Sequence, residues 1–118
     1  MIVYGIKNCD TVKKTLNWLK LYQVPYAFHD YKKEGIEAEK LKEWCSKVSY
    51  DQLINRRGTT WRKLDDSIKN SNIDEQKAIE LMVSHNSLIK RPVIELSDSK
   101  IIVGFEEESL SNELKKLN

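Results

Sequence analysis

The spacing of apolar residues in the first quarter of the chain changes from a strand pattern to a helical pattern and back. Residues 2–5 form a short apolar run that predicts a strand, and residues 10–22 carry apolar side chains at helical spacing. The Val24-Pro25 step ends this helix, and residues 26–30, with alternating large side chains, predict a second strand. The apolar positions of the helix are Val12, Leu16, Trp18 and Leu19. A strand, a helix and a strand in this order predict a parallel βαβ unit with a right-handed crossover.

The middle of the chain is predicted to be helical. Residues 36–48 carry one apolar stripe at positions i, i+3, i+4 and i+7, which predicts a helix. That stripe consists of Leu41, Trp44, Cys45 and Val48. Residues 50–55 predict a short helix. A longer helix is expected over 74–84, with Asp74 as its N-terminal cap.

The last part of the chain returns to strand patterns. Residues 92–96 and 100–104 are apolar and flank a short polar turn at 97–99, which predicts a hairpin. A closing helix is expected over 106–117, because it is acidic at its start and basic at its end, as the helix dipole favours. The order is β-α-β, a helical insertion, then β-β-α. It predicts an α/β, thioredoxin-like fold with a four-stranded mixed sheet flanked by helices.

Length and composition narrow the classes of function. A chain of 118 residues predicts a single domain over 1–118. Hydrophobic residues make up 40% and charged residues 32%, which is typical of a globular protein. The net charge of +2 predicts neither direct nucleic-acid binding nor a membrane surface as partner. Two cysteines and no export signal at the N-terminus predict a cytoplasmic protein with reduced thiols.

Cys9 is the leading candidate for a reactive group. It follows the first predicted strand and precedes the first predicted helix. The first N–H groups of a helix have no intrahelical partner and carry partial positive charge. A thiol placed there can have its pKa lowered from about 8.5 to between about 3.5 and 7.5. Cys9 is therefore predicted to be a thiolate nucleophile, although a cysteine at this position can also be inert packing.

Cys9 has no partner thiol at the spacing of a dithiol motif. Disulfide exchangers of this layout usually carry C-x-x-C, but the second cysteine position is Val12 here. A lone thiolate needs a thiol from another molecule, such as glutathione or a protein. Cys45 lies on an apolar helix stripe and is predicted to be structural.

The Arg91-Pro92 step precedes a predicted strand. A proline in this place in a thioredoxin-like order predicts a cis peptide bond, which would hold Arg91 close to Cys9. A guanidinium there can bind a carboxylate or an oxyanion with two hydrogen bonds. The alternative is an ordinary surface arginine.

A second basic run reads Arg-Arg-Gly-Thr-Thr-Trp at 56–61. Arg56 and Arg57, followed by a glycine and two hydroxyls, can form an anion-binding loop. The run can equally be a solvated turn. Thr59 or Thr60 is expected to cap a short helix that begins near the tryptophan.

No metal or bound organic cofactor is expected. The two histidines, His29 and His85, are isolated, and with Cys9 and Cys45 they show no metal-ligand spacing. The chain carries no glycine-rich phosphate loop.

Four runs carry a resemblance to a known family. They read Tyr-Gly-Ile-Lys-Asn-Cys-Asp-Thr-Val-Lys-Lys at 4–14, Phe-His-Asp-Tyr at 28–31, Asn-Arg-Arg-Gly-Thr-Thr-Trp-Arg-Lys-Leu at 55–64 and Ile-Lys-Arg-Pro at 89–92. Together they resemble the ArsC-like family of thioredoxin-fold proteins, and most of all its YffB-like branch. That branch contains small proteins proposed to be glutathione-dependent thiol reductases.

The resemblance implies a set of site residues. The family's nucleophilic cysteine matches Cys9, and the arginine before its proline matches Arg91. An arginine of the middle segment matches Arg56 or Arg57, and the resemblance does not choose between them. The supporting positions in the matching runs are Asn8, Thr11 and Pro92.

The implied function is a monothiol reductase that uses glutathione as co-substrate. Two alternatives stay open. One is an Spx-like adaptor that binds RNA polymerase, although Val12 removes half of the C-x-x-C switch common in that group. The other is an arsenate reductase with an incomplete arginine set, because residues 103–106 lack the further arginine of those enzymes.

Overall fold

The computed structural model describes residues 1–96 and 99–117. Its contacts divide the chain into two compact units, which are described separately below. One unit contains Met1–Asp30 and the C-terminal stretch from Arg91, and the other is Tyr31–Lys90. The expectation of a single domain stays a prediction. No helix of the described ranges is long and apolar enough to cross a membrane.

The first unit holds a four-stranded sheet, as predicted. Its strands are β1 (Ile2–Gly5), β2 (Ala27–Asp30), β3 (Val93–Glu95) and β4 (Ile101–Val103). The strand order is β2-β1-β3-β4. β1 pairs with β2 in parallel, and the β1–β3 and β3–β4 pairs are antiparallel. The sheet is therefore mixed, and β3 with β4 forms the predicted hairpin. Residues 97 and 98 of the predicted turn lie outside the described residues.

Eight α-helices and one short 3-10 helix are assigned within the described ranges. The α-helices are α1 (Asp10–Leu21), α2 (Tyr31–Glu34), α3 (Ala38–Cys45), α4 (Tyr50–Leu53), α5 (Thr59–Arg62), α6 (Asp66–Lys69), α7 (Glu75–Ser84) and α8 (Glu107–Leu117). The 3-10 helix is Asn86–Leu88. The sequence predicts the positions of α1, α3, α4, α7 and α8 to within a few residues. A short helix is also predicted near α5. The prediction misses α2, α6 and the 3-10 helix, which have three or four residues each and too few apolar positions to show a period.

One face of the sheet packs against α1 and α8. A row of side chains crosses all four strands on this face, because Val3 pairs with Phe28 and with Ile94, and Ile94 pairs with Ile102. Leu19 of α1 and Leu110 of α8 belong to the same apolar cluster. The sequence pattern therefore locates the core of this unit correctly, and the two helices flank the sheet as expected.

The buried face of α1 differs from the prediction at one position. Leu16 packs against the core as predicted, but Thr15, which an apolar pattern does not include, is fully buried. The Thr15 hydroxyl donates a hydrogen bond of 2.8 Å to the carbonyl oxygen of Thr11, so its burial leaves no polar group unsatisfied. A polar side chain satisfied within its own helix gives no signal in an apolar pattern.

The second unit contains the helical insertion. The helix predicted over 36–48 is shorter, since α3 covers only Ala38–Cys45. Asp74 caps α7 as predicted, with its side chain accepting a hydrogen bond of 2.8 Å from the backbone N–H of Lys77.

The predicted cap of the short helix α5 is wrong. Gly58 is the N-terminal cap residue, and Thr59 and Thr60 lie inside the helix. A Cβ atom on residue 58 would lie 3.0 Å from the side-chain nitrogen of Asn55, so the close approach favours glycine there. The helix starts without a side-chain capping hydrogen bond from either threonine.

Candidate active site

Cys9 lies at the start of α1, as predicted. It is the N-terminal cap residue, with extended backbone angles of φ −117° and ψ 125°. Its carbonyl oxygen accepts the first hydrogen bond of the helix from the N–H of Lys13, at 2.9 Å. The side chain is half-buried. The sulfur is thus accessible to solvent and close to the free N–H groups of the helix start.

The surroundings of Cys9 lower the pKa of its thiol. Partial burial is the largest single influence, and it acts in the opposite direction by disfavouring the thiolate. The backbone N–H of Val12, the Arg91 side chain and the backbone N–H of Thr11 together outweigh it. The sulfur makes no side-chain capping hydrogen bond to the backbone of α1. The helix start nevertheless stabilises the thiolate over the thiol.

Arg91 reaches Cys9 because of the strand pairing. β3 runs antiparallel to β1, and Val93 at the start of β3 pairs with Tyr4 near the end of β1. The residues just before β3 therefore lie beside the segment that leads from β1 to Cys9. The Arg91-Pro92 peptide bond is cis, as predicted. The Arg91 side chain acts on the Cys9 sulfur through a hydrogen bond and through its charge.

The three supporting residues differ in their exposure and in their contacts. Asn8 lies exposed in the turn between β1 and α1. Thr11 is also exposed, and its contribution to Cys9 comes from its backbone N–H. Pro92 is buried, and its carbonyl oxygen accepts a hydrogen bond of 2.8 Å from the N–H of Gly104. Pro92 is therefore anchored to the segment that follows β4.

Cys45 has the opposite environment. It is a free, half-buried thiol at the C-terminal end of α3. Burial raises the pKa of the Cys45 thiol, and the negative charge of Glu75 raises it further. The protonated thiol is the poor nucleophile of the two.

The two arginines of the middle run belong to the unit Tyr31–Lys90 and have different environments there. The Arg56 guanidinium lies 3.0 Å from the Asp51 carboxylate and 5.3 Å from the centre of the Trp61 ring. The backbone N–H of Arg57 donates to the Asn55 side chain at 3.1 Å, which fixes the turn. The Arg57 side chain is exposed, and its guanidinium makes no hydrogen bond with residues of the described ranges. The role of either arginine as an anion ligand continues to rest on the resemblance.

The described residues contain no group of three His, Cys, Asp or Glu side chains that could hold a metal ion. The chemistry that this arrangement offers is that of a thiolate next to a guanidinium.

Sequence reasoning missed one contributor to the position of Cys9, the absence of a side chain at Gly5. The backbone N–H of Val12 is one of the helix-start N–H groups that the sequence predicts to act on the sulfur. A Cβ atom on Gly5 would lie 2.7 Å from Cγ2 of Val12, so the end of β1 and the first turn of α1 approach closely. A glycine between a strand and a helix start is the one sequence signal that could have indicated this contact.

Known proteins are similar to this sequence over most of the chain. An "Uncharacterized protein" of Haemophilus influenzae is 44% identical over 106 residues, which cover 90% of this chain and 91% of that one. The regulatory protein MgsR of Bacillus subtilis is 25% identical over 115 residues, which cover 96% of this chain and 89% of that one. Global transcriptional regulators named Spx match at similar identities, for example 24% in Listeria innocua, over 92% of this chain and 82% of that one.

Solved structures also match the chain over nearly its whole length. A protein named YFFB is 47% identical with a TM-score of 0.89, and the match covers 94% of this chain and 96% of that one. An arsenate reductase (ArsC) related protein from Brucella melitensis is also 47% identical, with a TM-score of 0.75 and coverage of 97% and 93%. The family described as the ArsC family matches residues 4–112. With Cys9 and Arg91 inside that match, the chain belongs to the ArsC family and is related to YffB.

Proposed function

We propose that the protein is a glutathione-dependent monothiol reductase whose nucleophile is Cys9. The observation that carries this proposal is the Cys9 thiol, with a lowered pKa, at the start of α1 beside Arg91. A low pKa makes the sulfur both a populated thiolate at neutral pH and a good leaving group. The absence of a second cysteine at position 12 favours an external thiol as the reductant.

The proposed reaction has two thiol–disulfide exchanges. In the first, the Cys9 thiolate attacks the glutathione sulfur of a glutathionylated protein, forms a mixed disulfide with glutathione, and releases the protein thiolate. In the second, the thiolate of a free glutathione attacks that mixed disulfide, which releases oxidised glutathione and restores the Cys9 thiolate. Glutathione supplies the two electrons, and the disulfide of the glutathionylated protein receives them and becomes the protein thiol.

Arginine side chains would bind the carboxylates of glutathione in this scheme. Arg91 is proposed to hold one carboxylate while its charge favours the thiolate form of Cys9. A second carboxylate is assigned to Arg56 or Arg57. Arg57 is the better candidate, because Asp51 and Trp61 already occupy the Arg56 guanidinium. The proposal needs no metal and no bound cofactor, and it keeps the expectation of a reducing cytoplasm.

Mass spectrometry after exposure to oxidised glutathione tests the proposal. We expect one added glutathionyl group on the wild-type protein, located on Cys9 and released by reduced glutathione. Cys9→Ser should lose the adduct and keep its fold, because the change is nearly isosteric. Cys45→Ser is the matched control and should retain the adduct. Wild-type protein that forms no adduct and reduces no glutathionylated protein would overturn the proposal.

The matches to Spx and MgsR over nearly the whole chain favour one second candidate, a regulatory adaptor. Such an adaptor would bind RNA polymerase, and modification of Cys9 would modulate the binding. A pull-down with purified RNA polymerase, done with reduced and with glutathionylated protein, separates the two candidates. Tight binding to polymerase without any turnover of glutathionylated substrates would favour the adaptor.

A further inference from the structure

A groove of about 730 Å³ lies in the sheet-containing unit, between the C-terminal end of α1 and α8. Val24 and Pro25, which follow α1, form part of its wall. Cys9 lies at the other end of α1, a helix of 12 residues, which corresponds to about 18 Å along the axis. The groove is therefore separate from the thiol site, and the proposed thiol chemistry does not use it.

Aromatic and aliphatic side chains form the floor of the groove. Trp18 and Tyr22 line it, with ring centroids 4.7 Å apart, and Leu114 faces them from α8. Trp18 and Leu114 also pack on the core, which fixes their positions. Tyr22 is 61% exposed, so its ring is accessible to a ligand in the groove. Exposed apolar surface around a concave site is typical of a binding site for a protein or peptide.

Charged side chains lie at both ends of this floor. Glu107 and Glu108 are in the first turn of α8, and Lys115 lies about two turns further along. The helix dipole favours acidic residues in a first turn, but it does not account for their lining an aromatic groove. Glu108 and Lys115 are seven positions apart, which corresponds to about 10 Å along the helix, the length of about three residues of extended peptide.

We propose that this groove binds an extended peptide segment of a partner protein. A lysine or arginine of the segment would lie against Glu107 and Glu108, its apolar side chains would pack on Trp18 and Tyr22, and an acidic group would follow near Lys115. A cation gains from both the carboxylates and the adjacent aromatic faces. The groove would let the protein choose its partner by sequence, independently of the chemistry at Cys9.

Nuclear magnetic resonance titration of the ¹⁵N-labelled protein tests this inference. The probe is an acetylated, amidated peptide with two arginines, then three leucines, then a glutamate. We expect amide shifts confined to the end of α1, the loop after it, and α8. A peptide with glutamates in place of the arginines should bind at least about fivefold more weakly, and so should one with serines in place of the leucines.

Variants of the protein complete the test. The double variant Glu107→Gln/Glu108→Gln should weaken binding of the probe peptide by about fivefold or more. Tyr22→Ser should weaken it by about tenfold. The matched control is Glu37→Gln/Glu39→Gln, which removes the same charge at the start of α3 and should leave the affinity unchanged. Cys9→Ser should also bind normally, so this test is independent of the proposed reductase activity.

Several results would overturn the inference. One is a set of shifts outside the groove, or equal affinity for the glutamate-containing peptide. Another is saturation of the same amides by arginine amide at the affinity of the peptide, which would indicate a site for small cations. A third is concentration-dependent shifts of the groove amides without peptide, together with a dimer in sedimentation velocity, which would identify a second copy of the chain as the occupant.

Discussion

Val12 leaves no space for a side chain at Gly5. A Cβ atom built on Gly5 lies 2.7 Å from Cγ2 of Val12 and 3.5 Å from Cγ1. Val12 is fully buried, and a β-branched side chain in a helix has little rotamer freedom. The contact therefore fixes the distance between the end of β1 and the first turn of α1, where Cys9 lies.

Gly5→Ala is expected to lower the free energy of unfolding by about 1–3 kcal/mol, because the added methyl group overpacks a buried contact. Urea denaturation measures this change. The double variant Gly5→Ala/Val12→Ala should be more stable than the sum of the two single effects predicts, by about 1 kcal/mol, because removal of the Val12 methyl groups relieves the overlap. Simple additivity of the two substitutions would contradict the contact.

Cys9 is expected to react faster with iodoacetamide than Cys45 at neutral pH. The helix start and Arg91 lower the pKa of Cys9 in spite of its burial, whereas burial and Glu75 raise the pKa of Cys45. Labelling rates measured against pH, with peptide mapping to separate the two sites, give the pKa of each thiol. Arg91→Ala should move the labelling profile of Cys9 to higher pH. Arg62→Ala, an exposed arginine of the other unit, is the control and should leave it in place.

The two thiols should also make opposite contributions to stability against pH. Because the folded-state pKa of Cys9 is lowered, its contribution is complete above the unfolded value of about 8.5 and is lost as the pH falls through the folded value. The folded-state pKa of Cys45 is raised, so its contribution is complete below about 8.5 and is lost as the pH rises through the folded value.

Comparison of the wild type with Cys9→Ser and Cys45→Ser measures these contributions. Relative to Cys9→Ser, the wild type should gain stability as the pH rises towards about 8.5. Relative to Cys45→Ser, it should lose stability above that pH. Parallel stability curves for all three proteins would show that neither pKa differs between the folded and unfolded states.

The sequence predicts the sheet and its connections well because their signals are local. The strand 2–5 and the helix that follows have clear apolar periods, and the βαβ order determines that β1 and β2 are parallel. The position of Cys9 follows from the same boundary. Its lowered pKa follows only in part, since Arg91 lies 82 positions further along the chain and reaches Cys9 through the pairing of β1 with β3.

The failures occur where a contact outweighs a local preference. Gly58 starts α5 ahead of two threonines, at a position where a Cβ atom would lie 3.0 Å from the side-chain nitrogen of Asn55. Thr15 is buried because its hydroxyl has an acceptor one turn earlier in its own helix. A pattern of apolar residues predicts neither the start of α5 nor the burial of Thr15, because each depends on a contact with one particular neighbour.

Asp74→Ala is expected to destabilise the protein by about 1 kcal/mol, because the Asp74 side chain accepts a hydrogen bond from the N–H of Lys77 at the start of α7. Thermal unfolding measures the change. Asp65→Ala is a matched control, since Asp65 precedes α6 without a side-chain capping hydrogen bond, and it should change stability by less than about 0.5 kcal/mol. Equal losses for the two variants would exclude the capping explanation.

Arg56 and Arg57 are expected to separate into a structural and a binding role. Arg56→Ala removes the exposed pair with Asp51 and the contact with Trp61, and it should cost up to about 1 kcal/mol of stability. Arg57→Ala should change stability by less than about 0.5 kcal/mol. In the reductase assay, however, Arg57→Ala should raise the KM for a glutathionylated substrate about tenfold or more, because a charge-assisted hydrogen bond to a carboxylate is lost.

Arg57→Lys should recover part of this binding, because it keeps the charge but loses the two-pronged geometry of the guanidinium. The kcat should change little in either variant if Arg57 binds the substrate equally in the ground state and the transition state. A larger KM effect for Arg56→Ala than for Arg57→Ala would reverse the assignment. In that case the pair with Asp51 would have to open when the substrate binds, and Asp51→Asn should then lower the KM by freeing the Arg56 guanidinium.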